Sequence, residues 1–137
     1  MKKLKLPFRG ERSMREEFPA GIENACIKSI DIDVIGHFGD AITLDMPISL
    51  GGSRLANPLS GRDLTNHVGK FIQVLFRLLA LSEEDGKKLS EIKEVPCRVV
   101  FCYDTIVGLG HFLDDRFMLF DELLEILVNE GSEEEKK

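Results

Sequence analysis

The sequence predicts an α+β fold, in which an antiparallel β-sheet of about four to five strands packs on one long central helix plus a C-terminal helix. Three observations predict it. Apolar and polar residues alternate in short segments, as in strands with one solvated face. The stretch from Leu64 to Leu79 instead repeats its apolar residues at helical spacing. Short connections between the predicted strands favour antiparallel hairpins over parallel crossovers.

The chain of 137 residues has the size of one domain with one core. Residues 1–20 mix Lys, Arg and Glu with scattered apolar positions, and we expect a flexible basic arm there. Residues 21–130 form the predicted α+β domain. Residues 131–137 are rich in Glu and Lys, with nothing to bury, and predict a charged disordered tail.

Two alternating segments predict the first hairpin. Ile30, Ile32 and Val34 alternate with aspartates, and a similar pattern runs over 42–48. The glycine-bracketed loop over 36–40 has hairpin length. The apolar positions before Ile30 are out of phase with the alternation that starts there, which predicts a bulge or bend near Lys28. We expect Pro47 to lie at a sheet edge, where its missing amide costs nothing.

The central helix follows a loop without periodicity. Ser60 or Asp63 is placed to cap it. Its apolar positions follow helical spacing and are Leu64, Val68, Phe71, Ile72, Leu75, Leu78 and Leu79. The polar segment Glu83–Glu94 predicts a short further helix that ends before Pro96.

The last third predicts a second hairpin and the C-terminal helix. Val95–Tyr103 and Thr105–Leu113 are rich in strand-forming residues, and Asp104-Thr105 is the expected tight connection. Asp121 is a plausible N-cap for a helix over Glu122–Asn129.

Charge and cysteine usage exclude several classes of partner. Residues 1–20 carry a formal charge of +3 and the rest of the chain −9, and an acidic body repels duplex DNA and RNA. Cys26, Cys97 and Cys102 have no close spacing, so the sequence predicts neither disulfides nor a zinc site. No run approaches about 18 apolar residues and no signal peptide is recognisable, so we expect a cytoplasmic protein without membrane contact.

One candidate anion site lies where the loop enters the central helix. Arg54, Asn57, Arg62, Asn66 and His67 cluster there in sequence, and the free amides and dipole of a helix start favour an anion. The full P-loop pattern is absent. The alternative is a solvated loop without a ligand.

The second polar cluster is Gly110–Phe117, which sets His111, Asp114, Asp115 and Arg116 in an apolar context. These groups either contact a ligand or form a salt-bridge cluster that closes the turn. Adjacent aspartates on a strand point to opposite faces and do not form a glycosidase pair.

Signals for catalysis are absent. No nucleophile elbow is present, and His37, His67 and His111 lack metal-ligand spacing, so we expect no enzyme activity, no metal and no cofactor. Phe38, at the predicted hairpin tip, is a candidate exposed aromatic residue that stacks on a base or packs on a neighbouring subunit.

Four features taken together resemble the Thoeris anti-defence family of phage proteins over about residues 22–125. They are a β-hairpin followed by Gly-Gly, the helix segment Asn66–Ile72, the strand segment Pro96–Val100 and the segment Gly108–Phe117. Members of that family sequester cyclic ADP-ribose signals made by bacterial defence enzymes, and some hold cyclic oligonucleotides, without cleaving them.

The resemblance implies a non-enzymatic homo-oligomer that binds a cyclic nucleotide immune signal in the host bacterial cytoplasm. It implies that Arg54, Arg62 and Arg116 pair with the pyrophosphate. Asn57 and Asn66 would then bond ribose or adenine, and Phe38 or Phe112 would stack on the base. Two alternatives stay open: a phage or prophage interaction module that binds a host protein without a small ligand, and a small hydrolase of such signals.

Overall fold

The computed structural model describes residues 6–19, 21–36, 39, 41–80 and 92–135, and confirms the α+β class. These residues contain three helices, α1 (Glu11–Glu17), α2 (Val68–Leu79) and α3 (Phe120–Glu135). Eight strands accompany them: β1 (Ile22–Ser29), β2 (Asp31–Ile35), β3 (Ala41–Asp45), β4 (Ile48–Ser49), β5 (Leu55–Ala56), β6 (Lys93–Cys102), β7 (Thr105–His111) and β8 (Phe117–Leu119).

The strands form two antiparallel sheets. The larger has six strands in the order β5-β4-β1-β6-β7-β8, and β2 with β3 forms the smaller. The predicted number of four to five strands is therefore too low, because β4, β5 and β8 are each only two or three residues long and too short to show an alternating pattern.

The expected long central helix is not found. α2 spans 12 residues and the C-terminal α3 spans 16. The helical spacing before Val68 belongs to a turn, because the Leu64 amide donates to the Ile42 carbonyl of β3 at 2.7 Å. Leu64 is fully buried there. Tertiary contact with β3 thus replaces the first predicted helical turn, and neither Ser60 nor Asp63 is the N-cap, which is His67.

α2 covers the core with one apolar face. Its buried residues recur at helical spacing and are Phe71, Val74, Leu75, Leu78 and Leu79. They pack in one cluster with residues from the sheet and from α3, such as Ile27, Leu109 and Leu123. This larger of two core clusters joins the sheet to α2 and α3.

The predicted irregularity near Lys28 lies at Ile30, where the chain leaves the larger sheet and enters the smaller one. Ile27 and Ile30 are both buried although their spacing breaks strand parity. Pro47 lies between β3 and β4, outside both strands, and its carbonyl accepts the Lys28 amide at 2.8 Å.

Both predicted hairpins are present. β2 and β3 pair from Asp31↔Asp45 to Ile35↔Ala41. β6 and β7 pair with a bulge at Val100/Phe101, and their connection is Tyr103-Asp104, one residue earlier than expected. Of the predicted helix over Glu83–Glu94, residues 83–91 lie outside the described residues, whereas Lys93 and Glu94 belong to β6 and not to a helix.

The N-terminal segment differs from the predicted arm. Residues 6–19 contain α1, and Arg9 forms a bridge with Phe117 of β8. Met14 of α1 is fully buried against Val100, Phe117 and Leu119. At the other end, residues 131–135 of the predicted tail continue α3. Within the described residues, no helix combines the length and apolar character needed to cross a membrane.

Candidate functional site

A cleft of about 760 Å³ lies between the β4–β5 turn and the tip of the β6–β7 hairpin. Three of the predicted ligand residues line it: Arg54, Asn57 and Arg62. The wall opposite them comes from residues 101–106, which include Phe101, Tyr103 and Asp104, and Glu23 of β1 contributes a carboxylate. We call this site the hairpin-tip cleft.

Arg54 is positioned by the turn that precedes β5. The Leu50 amide donates to the Arg54 carbonyl at 2.9 Å, and Arg54 Nε donates to the Gly51 carbonyl at 3.2 Å. Its Nη2 lies 3.3 Å from Glu23 Oε2, in an ion pair whose side chains are 58% and 44% exposed. Because the guanidinium is open to solvent and holds one carboxylate, it retains donors for a ligand.

Arg62 reaches the cleft from the turn that follows β5. Its Nη1 lies 2.5 Å from Asp121 Oδ1, at the start of α3. The guanidinium carbon also lies 5.8 Å from the centre of the buried Phe120 ring, within cation–π range. The aromatic ring and the carboxylate together orient Arg62 without using all of its donors.

Asn57 lines the cleft but its amide serves the fold. Asn57 Oδ1 accepts the Met46 amide at 3.0 Å, and Nδ2 donates to Asp45. These bonds hold the β5 turn against the end of β3. Asn66 is exposed on the turn before α2 and does not line the cleft. Phe38 lies outside the described residues.

Tyr103 is the cleft residue that sequence reasoning missed. It is the only tyrosine of the chain, its side chain is 89% exposed, and its backbone has φ +58°. A non-glycine residue in this left-handed region carries strain, and such residues concentrate at functional sites. The available signal was an aromatic residue at the end of the predicted strand Val95–Tyr103, next to the expected turn at Asp104-Thr105.

The other polar cluster lies at the opposite end of β7 and closes the β7–β8 loop. Arg98 of β6 is its centre, with a side chain only 15% exposed. Its Nε donates to the His111 carbonyl at 2.8 Å and its Nη2 to the Asp114 carbonyl at 2.7 Å. Its Nη1 donates to Glu11 Oε1 at 2.6 Å. Sequence reasoning missed Arg98 because an arginine within a strand is usually solvated.

The remaining groups of this cluster also bond the protein itself. His111 Nδ1 accepts the amides of Leu113 and Asp114 at 3.1 and 2.8 Å. Asp115 Oδ1 accepts the Glu11 amide at 2.6 Å and thereby caps α1. Arg116 pairs with Asp114 at 3.2 Å. The arrangement corresponds to the turn-closing alternative for the segment Gly110–Phe117, and we call it the Arg98 clamp.

Glycine is required inside the Arg98 clamp. A Cβ at Gly110 would lie 2.3 Å from two ring atoms of Phe117. Phe117 is the residue of β8 that pairs with Gly110 of β7. The Arg98 guanidinium carbon lies 4.5 Å from the centre of the same ring. Phe117 is fully buried between them, so the ring occupies the space that a side chain on β7 would need.

The predicted site residues therefore divide between two places within one chain. Arg54, Asn57 and Arg62 share the hairpin-tip cleft, whereas Phe112 and Arg116 follow the far end of β7. The seven residues of β7 span about 20 Å at a strand rise of about 3.3 Å per residue. Arg116 of the same chain consequently does not meet Arg54 and Arg62 across the cleft.

No cysteine is among the described residues that line the cleft. Burial raises the pKa of the Cys97 thiol to about 12, so this group stays protonated at neutral pH. The hydroxyl and amide of Thr65 lower the pKa of Asp63, which forms a small turn before α2. The described residues contain no group of three or more His, Cys, Asp or Glu placed to hold a metal ion.

Comparison of the chain with protein-family models, with curated proteins and with solved structures finds no match. The functional argument therefore depends on the geometry of the cleft and on the sequence.

Proposed function

We propose that this protein binds a small nucleotide anion in the hairpin-tip cleft and holds it without cleaving it. The ligand class that the sequence resemblance implies is a cyclic nucleotide immune signal of the cyclic ADP-ribose type, sequestered in a phage-infected bacterium. The observation that carries the proposal is the convergence of two guanidinium groups, Arg54 and Arg62, on one cleft that has an exposed tyrosine on its rim.

The size of the cleft and its two arginines support this ligand class. A volume of about 760 Å³ falls within the range of small-molecule sites. Arginine pairs with phosphate oxygens through two parallel hydrogen bonds. Each of the two arginines now holds an exposed carboxylate, Glu23 or Asp121, and exposed pairs of this kind are worth about 1 kcal/mol or less. A phosphate displaces them at small cost.

Tyr103 supplies the second recognition element. Aromatic side chains stack on nucleobases with little sequence preference. The tip of the β6–β7 hairpin presents this ring opposite the side of the cleft that carries the arginines. A nucleotide could therefore place its phosphate against the arginines and stack its base on Tyr103.

Storage fits the composition of the cleft better than catalysis. The described lining contains neither histidine nor cysteine, and of its two carboxylates Glu23 is paired with Arg54 while Asp104 lies in the β6–β7 turn. The apolar rim residue Leu55 is 68% exposed. A second copy of the chain in a homo-oligomer would cover Leu55 and enclose a ligand that one chain leaves open to solvent.

The test is a thermal-shift panel of cyclic ADP-ribose isomers, cyclic dinucleotides and cyclic trinucleotides. A ligand at one hundred times its Kd stabilises the folded state by about 2.7 kcal/mol, so Tm rises measurably. The double substitution Arg54→Gln and Arg62→Gln should abolish the rise. The matched control is Arg12→Gln, because the Arg12 side chain is 94% exposed and lies outside the cleft.

The fate of the ligand separates storage from hydrolysis. After heat denaturation of the complex, chromatography should recover the ligand unchanged. Recovery of a cleaved product would contradict the non-enzymatic part of the proposal. A panel in which no nucleotide raises Tm would overturn the proposal as a whole.

A further inference from the structure

β2 is an open strand edge within the described part of the chain. Among the described strands it pairs with β3 alone, and all five of its residues are exposed. The other edge of β3 is covered, since the Ile42 amide bonds the Thr65 hydroxyl at 3.0 Å and the Met46 amide, just past β3, bonds Asn57. In the described part of the chain, therefore, the free edge of the small sheet is the outer side of β2.

β2 exposes three apolar side chains beside its two aspartates. Ile32, Val34 and Ile35 are 48%, 62% and 44% exposed. Natural proteins usually protect edge strands with charged side chains, proline or a bulge, and of these β2 has only the carboxylates of Asp31 and Asp33. A two-stranded sheet is also marginally stable by itself, so a third strand would stabilise it.

The charges on β2 indicate which kind of strand fits. Asp31 and Asp33 alternate with Ile32 and Val34, and neither aspartate has an ion pair with any described residue. Asp31 also lies directly across from Asp45 of β3. An added strand with basic residues at alternate positions would place them opposite these carboxylates and its apolar residues beside Ile32 and Val34.

A second copy of β2 fits less well. Antiparallel pairing of two β2 strands over their full length places Asp33 opposite Asp33, and like charges directly opposite each other destabilise a sheet. The acidic edge also disfavours nucleic acid. The complementary occupant is a basic extended segment of another protein.

We propose that β2 is a docking edge that receives an extended segment of a partner protein, with alternating Lys or Arg and apolar residues, as a third strand of the small sheet. This mode of recognition combines main-chain hydrogen bonds with side-chain selection. It depends on residues 31–35 and not on the hairpin-tip cleft, so the two proposals succeed or fail separately.

The experiment uses the full chain and a fluorescent heptapeptide of alternating lysine and valine, with fluorescence anisotropy at near-physiological salt as the readout. One comparison peptide carries glutamate in place of lysine. Another has the same sequence with N-methyl groups on alternate backbone nitrogens, which removes the hydrogen bonds of one strand edge but keeps every charge. The lysine peptide should bind and both comparison peptides should not.

Protein variants locate the site. Asp31→Asn with Asp33→Asn should weaken binding about tenfold, because two complementary charges are lost. Val34→Lys should weaken it by about tenfold or more. The matched control is Val128→Lys on α3, which replaces a valine that is 49% exposed, and it should leave binding unchanged.

Three results would overturn the proposal. One is equal binding of the N-methylated peptide, which would show attraction by charge alone. Another is an equal effect of Val34→Lys and Val128→Lys. The third is a dimer of the protein alone that Val34→Lys dissociates, since a second copy would then occupy the edge.

Discussion

The two ends of β7 both gather arginines, but they use them differently. At the Arg98 clamp the side chain is 15% exposed and bonds two carbonyl oxygens and one carboxylate. At the hairpin-tip cleft Arg54 is 58% exposed and holds one carboxylate at 3.3 Å. The comparison shows that an arginine in the sequence can serve the fold alone, as Arg98 does, whereas the guanidinium of Arg54 stays open to solvent.

The difference has an energetic basis. A hydrogen-bonded, partly buried guanidinium stabilises the fold, and its loss leaves polar partners without a bond. An exposed ion pair contributes little and is easily exchanged. We therefore expect substitutions at the Arg98 clamp to reduce stability and substitutions at the cleft to reduce binding.

The largest expected effect is that of Gly110→Ala in the Arg98 clamp. The new Cβ would lie 2.3 Å from the buried Phe117 ring, so the ring must move. We expect a loss of about 3 kcal/mol in the free energy of unfolding, measured by urea denaturation.

Gly69→Ala is the matched control, because nothing lies within 4 Å of the new Cβ in α2. We expect it to stabilise the protein by about 0.5–1 kcal/mol through helix propensity. Equal effects of the two substitutions would show that Phe117 does not fill the space above Gly110.

The next largest effect is expected for Arg98→Met. This substitution keeps much of the apolar stem but removes the Arg98 bonds to the His111 carbonyl and the Glu11 carboxylate, and it leaves the Asp114 carbonyl with the Arg116 amide alone. We expect the free energy of unfolding to fall by about 2 kcal/mol. The same change at the cleft, Arg54→Met, should cost less than about 0.5 kcal/mol, because its ion pair is exposed.

A calorimetric comparison of the two variants checks this difference. If Arg54→Met destabilised the protein as much as Arg98→Met, the cleft arginine would be a structural residue and the proposed binding site would lose its main support. The position of α1 provides a second readout, since loss of the Arg98–Glu11 contact should increase amide exchange in Glu11–Glu17.

Much of the fold could be predicted from the sequence, because local periodicity governs its hairpins and α2. Long-range contacts decided the elements that were missed. Leu64 has the spacing of a helical residue, but it lies in a turn because its amide donates to the Ile42 carbonyl of β3. Met14 is an isolated apolar residue in a charged segment, and only the fold shows that Val100 and Phe117 bury it.

The candidate site could be predicted in part. Arg54, Asn57 and Arg62 are close in sequence and share the cleft. Arg116 was grouped with them by residue type, and the length of β7 separates it from them. Tyr103 was missed because exposure and backbone strain at a hairpin tip are properties of the folded chain that residue spacing does not encode.

Tyr103 gives the smallest expected change in stability and the sharpest contrast with the Arg98 clamp. A left-handed backbone costs an L-residue about 1 kcal/mol, and glycine adopts it without that strain. Tyr103→Gly should therefore raise the free energy of unfolding by about 0.5 kcal/mol, after the extra flexibility of glycine in the unfolded chain is included. It should also weaken binding of the cyclic nucleotide identified in the thermal-shift panel by about tenfold, through loss of stacking. Tyr103→Phe should change neither quantity, because it keeps the ring and the backbone strain. A glycine variant that is less stable, or that binds as well as the parent, would mean that the exposed ring serves the fold and that recognition depends on the arginines alone.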